Sequence, residues 1–520
     1  MKQLRMRNST KVQEETALLG VSTKNRSIDE FLEEAYETKG GKWRYWMIMV
    51  SLGIGISSDA AEVLCLSYFL ATPGFQRDIL DNSPVRGGVL ASSVFFGMLV
   101  GGLLAGILGD KLGRRPILWT ALFCNVTAGW FSSISQTLLQ LCFLRGLSGV
   151  GIGATVPPTL ALATELSPPS QRGFFVTFCT SFFMMGSVYA ALVALLVLEH
   201  LRWNWRCFAI AASIPSFVGA ILVGTLVVES PRLVALQQRP QEATRIANQL
   251  AQRMNFRGLP LQTTEVLQHF PASSRSKKNA SDASTLLAIR HAFGDLIRST
   301  RNLYHPQMRY TTSPLQLAWF SINFGSYGIT TWINTLFAAV QLENIYYNAL
   351  LFALSSLPGN LVSVLWMDRV GRKSMLVGSF LGAALSLVSF AGFTWEEEGL
   401  HKTGIVGSAC LFQAFITASW NALECTTSEV FPTTVRSTGM GICNATGRVG
   451  AMAAQLVNGA LLANPVRLIL VASTALFVGA LTPYLLQSGE MSRQPLLDKV
   501  LDSDGESSSR ADEDDGDGLP

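Results

Sequence analysis

Long apolar runs divided by short charged gaps constrain this chain more than any other feature. Twelve runs can be counted, roughly 46–70, 88–108, 117–136, 140–161, 174–198, 207–228, 314–338, 347–367, 375–393, 404–425, 438–462 and 466–486. Each approaches the ~20 residues an α-helix needs to cross the hydrocarbon core of a bilayer. With no water there, backbone N–H and C=O groups must pair within the segment, so such runs read as spanning helices. Charge agrees: 15% of the 520 residues are Asp, Glu, Lys or Arg, against about 25% in a soluble globular protein. The expected fold class is all-α, a polytopic membrane protein with twelve transmembrane helices. The first forty residues are polar, so no cleavable signal peptide is expected. The eight cysteines lie in or beside apolar runs and read as free thiols, without a disulfide framework.

Lys and Arg sort to one side. Gaps holding Lys42, Arg44, Lys111, Arg114, Arg115, Arg172, Arg232, Arg369, Arg372, Lys373 and Arg436 alternate with gaps poor in them. The positive-inside rule then puts both termini in the cytoplasm. The chain divides into a disordered tail over 1–45, a six-helix half over 46–230, a cytoplasmic linker over 231–311, a second half over 312–487 and an acidic disordered tail over 488–520. The middle of the linker, PASSRSKKNASDAS at 271–284, has the composition of a disordered segment, and helical pieces such as 240–253 flank it.

The halves echo each other. GDKLGRRP at 109–116 recurs as MDRVGRKS at 367–374, and ATELSPPSQRG at 163–173 recurs as TSEVFPTTVRSTG at 427–439. A duplicated six-span unit explains both pairs. The run Gly106-x-x-x-Asp110-Lys111-x-Gly113-Arg114-Arg115 resembles the signature between helices two and three of the major facilitator superfamily. Arg145-Gly-x-x-Gly149-x-Gly151-x-Gly153, Glu165 with Arg172, and Glu229-Ser-Pro-Arg232 resemble its sugar-porter-like branch. SSDAAEVLCLS (57–67), SINFGSYGIT (321–330) and GICNATGRVGAM (441–452) resemble the synaptic-vesicle-2-related and organic-ion transporter group. The resemblance implies two pseudo-symmetric six-helix halves around a central cavity, with charge clusters that tie cytoplasmic helix ends together and release as the halves rock.

Glycines are expected to let helices approach closely there, and a short turn to hold Asp110 near a helix N-terminus and the arginines. The second copy, with Asp368, Arg369, Gly371 and Arg372, has Val364 where the leading Gly would be, so a looser latch is expected. Glu165 with Arg172 and Glu429 with Arg436 stand seven apart around a Pro-containing turn, and read either as latch pairs or as solvated loop charges.

Ionisable side chains at membrane depth are costly, which makes them functional candidates. Asp59 and Glu62, three apart in span one, share a helical face. In sugar-porter relatives an acid of helix one pairs with an arginine matching Arg145. That resemblance implies proton exchange at Asp59, with Arg145 stabilising its ionised form, or else a static ion pair. Glu62 could share the proton or meet a cationic group of the solute. Arg448, inside span eleven, offers bidentate donors to a carboxylate or phosphate, and its alternative partner is Glu424. Asn323 and Tyr327, four apart in span seven, and Trp420 and Asn421 in span ten complete the cavity list. Asn444, in span eleven, belongs there too, its NAT sequon being out of reach of glycosylation.

No Walker GxxxxGK[ST], HExxH, CxxC or nucleophile triad is present, so neither an enzyme, a cofactor nor a metal is expected. The expectation is a secondary active transporter of a small organic solute, working by alternating access and coupled to protons. A carboxylate-bearing or zwitterionic substrate is the first reading. Sugars are the alternative, and a non-transporting vesicle-membrane scaffold or sensor is the alternative of another class. Glu14, Leu18 and Leu19 fit an acidic dileucine pattern that a sorting adaptor would read, which points to an endosomal, vacuolar or vesicular membrane or the plasma membrane. A monomer in the lipid bilayer, with no nucleic-acid partner, is expected.

Overall fold

The structure, a computed structural model, describes residues 26–486 apart from 39–40, 271–293, 295–299, 302, 306–307, 396–401 and 432–434. The dileucine residues Glu14, Leu18 and Leu19 lie outside the described residues, and so does the acidic tail. The described secondary structure is helical throughout. Twelve long segments run back and forth: α1 (Gly41–Ala71), α2 (Pro84–Leu112), α3 (Arg114–Ser132), α4 (Leu138–Leu166), α5 (Arg172–Ala194), α6 (Trp205–Ala212 and Ile214–Thr225), α7 (Arg309–Ala339), α8 (Ile345–Leu354 and Ser356–Val370), α9 (Arg372–Trp395), α10 (Lys402–Val430), α11 (Arg436–Leu461) and α12 (Pro465–Leu485).

Nine of these are long and apolar enough to cross a membrane on length and composition alone; α3, α7 and α11 are not. The shortfall in α7 and α11 has a structural meaning. These two helices pack on each other and carry Asn323, Asn334, Arg448, Gln455 and Asn458, polar groups that face protein rather than lipid. Two breaks have local causes. Pro215 and Pro358, which lack an N–H and crowd the carbonyl four residues back, sit just after the interruptions at Ser213 and Ser355 in α6 and α8.

The packing repeats with a period of six helices. In the first half α2 packs on α4, α3 on α4, α1 on α5, and α6 on both α1 and α3; in the second, α8 packs on α10, α9 on α10, α7 on α11, and α12 on both α7 and α9. Between halves α1 meets α7, α2 meets α11 and α5 meets α8. The tightest contact within a half is between α2 and α4. There Gly97 and Gly101 lie so close to the Gly146 and Val150 carbonyls that a Cβ would collide with backbone.

Apolar packing shows where the halves are joined. One buried cluster is confined to the second half. Another joins the first half to the linker helices and to residues 28–36. A third crosses the divide, with Leu66, Phe69 and Phe75 on one side and Trp332, Ala349 and Ala353 on the other. Most of the crossing contacts sit toward the end where α1 finishes and α2 begins, with the Phe95–Tyr327 ring contact nearer the middle. There Tyr68 stacks on Tyr346 at 6.3 Å, Asn334 donates to Ser67 at 3.0 Å, and Gly88 abuts Gln455 and Gly459. At the other end the described hydrogen bonds and ion pairs stay within a half. The molecule is closed at one end and parted at the end where α1 begins.

Residues 28–37 differ from the disordered tail expected over 1–45. They form a helix whose capping box is complete: the Ser27 hydroxyl accepts from Glu30 N–H, and the Glu30 carboxylate accepts from Ser27 N–H. Ile28, Phe31, Leu32, Ala35 and Tyr36 fall on its one buried face. They pack on the start of α1 and on linker helices Pro240–Arg253 and Thr263–His269. Polar ties complete the attachment. Arg26 meets Glu34 at 3.0 Å and Glu265 at 3.5 Å, and Asp29 takes Arg172 at 2.9 Å and Arg232 at 3.5 Å.

Candidate functional site

The centre of the molecule holds two acids of α1 in different surroundings. Arg145 of α4 pairs with Glu62, Nη1 to Oε2 at 2.8 Å, and not with Asp59 as expected. Residues three apart on a helix share a face but differ in height by about 4.5 Å, and Arg145 lies at the height of Glu62. The pair is closed in: Ser213 donates to the other oxygen of Glu62, Cys65 Sγ lies 3.2 Å from Arg145 Nη1, and the guanidinium stands 4.9 Å from the Phe69 ring centre. Arg145 is 1% and Glu62 2% exposed, so this is a desolvated ion pair in which both Glu62 oxygens have partners while Arg145 Nε and Nη2 have none.

Asp59, also 2% exposed, receives no hydrogen bond at either oxygen. Thr155 faces it but spends its own proton on the Gly151 carbonyl at 2.9 Å. The charged groups within electrostatic reach of Asp59 are Arg448 of the second half and Glu62.

Opposite Asp59, the second half presents an aromatic box. The Arg448 guanidinium lies 5.6 Å from the Tyr327 ring centre, and Tyr327 packs against Phe95 at 4.9 Å and Trp420 at 6.0 Å. Trp420 donates from Nε1 to Ser326 at 3.2 Å. Asn323 donates to the Trp319 carbonyl at 2.8 Å, while its Oδ1 is left without a donor. Arg448 Nη1 is buried without an acceptor, and no described carboxylate lies within salt-bridge distance of the side chain. Glu424, the internal partner considered from sequence, is surrounded by protein yet keeps its side chain in contact with solvent. Its side chain therefore borders open space between neighbouring helices. Asn444 is exposed one turn before Arg448. Asn421 belongs elsewhere: its amide donates to Asn360 at 2.8 Å and Ser363 at 2.6 Å, fastening α10 to α8.

The charge clusters at the parted end form across helices. Neither expected seven-apart pair exists: Glu165 pairs with Arg114, and Glu429 with Arg372 through Nε at 3.1 Å. Arg172 instead meets Asp29, and Arg436 donates to the Phe431 carbonyl at 3.2 Å. The two pairs that do form are symmetry equivalents, because Arg114 and Arg372 are each the first residue of the third helix in their half. Each follows a glycine at positive φ, Gly113 at 102° and Gly371 at 92°, a conformation that an L side chain rarely adopts.

Glu229 completes the first cluster in a way the sequence did not suggest. Its carboxylate accepts from the backbone N–H groups of Arg114 and Arg115, each at 3.1 Å, and caps the positive end of α3. Arg115 donates to the Gly224 carbonyl at 2.6 Å. Gly106 has open space around it, so it does not serve close packing here; Gly97 and Gly101 do. Lys111 and Arg369 are exposed, and Arg232 reaches Asp29. The side chains of Asp110 and Asp368 lie outside the described residues.

Sequence reasoning missed Asp29, which engages two of the expected latch arginines, and Ser213, which engages Glu62. The capping box before an amphipathic run was a legible signal for the first. A lone serine in an apolar span gave none for the second.

With this geometry in hand, comparison with known proteins is informative. A family model described as "Sugar (and other) transporter" matches residues 23–477. Human synaptic vesicle glycoprotein 2C is 24% identical over 602 residues, covering 89% of this chain and 81% of its own, and rat synaptic vesicle glycoprotein 2A is 26% identical, covering 82% and 75%. The inward-open xylose transporter XylE of E. coli superposes with a TM-score of 0.64 at 17% identity, over 85% of this chain and 96% of its own. The proton:xylose symporter XylE bound to 6-bromo-6-deoxy-D-glucose gives 0.61 at 16% identity, over 86% and 95%.

Proposed function

Because the chain belongs to the sugar (and other) transporter family, we propose that it carries a carboxylate-bearing organic solute across its membrane by alternating access, coupled to protons. One observation carries the reading: an orphaned acid and an orphaned base face each other across the divide between the halves. Asp59 of α1 has no donor, and Arg448 of α11 has no acceptor at Nη1. Burying polar groups unmet costs about 1–3 kcal/mol each, and more when they are charged. Such groups are retained where something mobile meets them, here a solute carboxylate on Arg448 and a proton on Asp59. Glu62 and Arg145 hold each other as a fixed pair and form the wall behind. The aromatic box of Tyr327 and Trp420 gives the solute's carbon skeleton an apolar surface, and Glu424 lines the path to the open end.

Rocking follows from the packing. The closed end is held by rings, small residues and two side-chain bonds rather than by a continuous core, so it can part. The Arg114–Glu165 and Arg372–Glu429 pairs stiffen the opposite end of each half, and those ends would meet when the closed end opens. The Lys and Arg bias puts that end in the cytoplasm, and the vesicle proteins among the relatives favour an intracellular vesicle membrane.

The test is uptake by purified protein in liposomes under an imposed proton gradient. Monocarboxylates should accumulate, accumulation should collapse with a protonophore, and Arg448→Gln should abolish it. A sugar is the second reading, favoured by a family named for sugars and by a sugar-bound neighbour. Uptake of glucose that ignores Arg448→Gln would establish it in place of the first, and binding without accumulation would favour a sensor.

A further inference from the structure

Beyond Tyr327, toward the closed end, lies a small, mainly apolar cavity that carries a few polar groups. It is lined by Ser67 and Tyr68 of α1, Ser187 of α5, Thr330 and Asn334 of α7, and Gln413 of α10, among apolar neighbours. No charged side chain lines it. Asn334 is 1% exposed; its amide N–H donates to Ser67 at 3.0 Å, and its Oδ1 has no donor. Gln413 Oε1 is likewise buried without a donor. Two acceptors from two helices thus converge on a space with nothing to satisfy them.

Resting on the reading of Arg448 as an anion site, we propose that this cavity is a subsite for hydroxyl groups of the same solute, and that the solute class is a polyhydroxylated carboxylate such as an aldonic or uronic acid. Size, chemistry and spacing each narrow the occupant. The cavity is about 30 Å³, more than the ~10–15 Å³ that a single water needs, so it takes the hydroxylated end of a solute rather than a whole one. Unmet acceptors require a donor. An ammonium group would donate, but without a carboxylate in the lining its charge would be buried uncompensated. Hydroxyls donate without that cost.

Thr330 and Asn334 stand three and seven residues beyond Tyr327, whose ring faces Arg448. At 1.5 Å per residue these are rises of about 4.5 and 10 Å, so the polar groups of α7 are spread over a length comparable with that of an extended six-carbon acid. One helix, α7, would read both ends.

The experiment compares initial uptake of gluconate, hexanoate and glucose by the full-length protein in liposomes under a proton gradient, with Gln413→Leu and Asn334→Ser as variants. Gln413 is included because Asn334 also ties the halves together through Ser67, whereas Gln413 makes no such tie. Gluconate should exceed hexanoate at least tenfold, since a site built to bond a hydroxyl strongly rejects an analogue without it. Gln413→Leu should lower that ratio about three- to tenfold, the worth of one neutral hydrogen bond. Equal uptake of the two acids, or a Gln413 variant that lowers both in proportion, overturns the subsite while leaving the anion reading intact. Entry of glucose with exclusion of both acids overturns the anion reading itself and the subsite with it.

Discussion

Asp59 and Glu62 are the same chemistry three residues apart, and their surroundings assign them opposite consequences on mutation. Glu62→Gln removes the counter-charge of a fully buried arginine, a change that costs about 3–5 kcal/mol when a buried ion pair loses one member. Asp59→Asn replaces a carboxylate that receives no hydrogen bond, so it should cost little or even stabilise. Thermal unfolding in detergent should therefore drop by several degrees for Glu62→Gln and not for Asp59→Asn. Proton-driven accumulation should be lost in Asp59→Asn all the same. Equal destabilisation by the two would remove Asp59 from its role as proton carrier. The sequence placed both acids on one face of span one but could not pair them, because a pairing depends on height along α4 and on a serine in α6. Arg448, Asn323, Tyr327 and Trp420 were legible as polar and aromatic intruders in apolar spans, and the structure gathers them. Asn421 had the same signature and turned out to bond α8; residue type alone cannot say which side of a helix faces the cavity.

At the scale of the element, the helix Ile28–Glu37 behaves as a strut across the first half. Phe31 is fully buried in it, and Asp29 holds Arg172 from the α4–α5 turn together with Arg232 after α6. Phe31→Ala should cost about 3–5 kcal/mol of local packing, more than so short a helix can supply alone, so the helix should detach while the spans stay folded. Limited proteolysis checks this: residues 26–38 should become cleavable in the variant and stay protected in the parent. The long helices could be read from the apolar runs, nine of them on length and hydropathy alone, because each is an autonomous hydrogen-bonding unit in lipid. The strut was read as disordered tail because its apolar residues are sparse and its polar partners are remote in sequence, Arg172 for Asp29 and Glu265 for Arg26. The latch pairs failed for a related reason. Proximity around a turn suggested Glu165 with Arg172, whereas the start of α3, fixed by Gly113 and capped by Glu229, delivers Arg114 instead.

For the whole molecule, the six-helix repeat makes the α2–α11 approach one of three places where the halves meet. Most contacts between halves sit toward one end, where the α2–α11 approach is close enough that a Cβ on Gly459 would lie 3.1 Å from the Gly88 Cα and a Cβ on Gly88 would lie 3.3 Å from the Gly459 Cα. A Cβ on Gly88 would also lie 2.6 Å from the Gln455 carbonyl oxygen, and one on Gly459 would lie 2.9 Å from the Pro84 carbonyl oxygen, closer than side-chain carbons sit to backbone. Gly88→Val should therefore push α2 away from α11 and weaken the closed end. The matching positions at the parted end, Gly106 and Gly441, have open space around them. Gly106→Cys with Gly441→Cys should stay reduced in the form seen here, and cross-link more readily on mild oxidation once Gly88→Val is added, because weakening one end lets the other close. If cross-linking is the same with and without Gly88→Val, the halves do not alternate, and the closed end is a permanent wall rather than a gate.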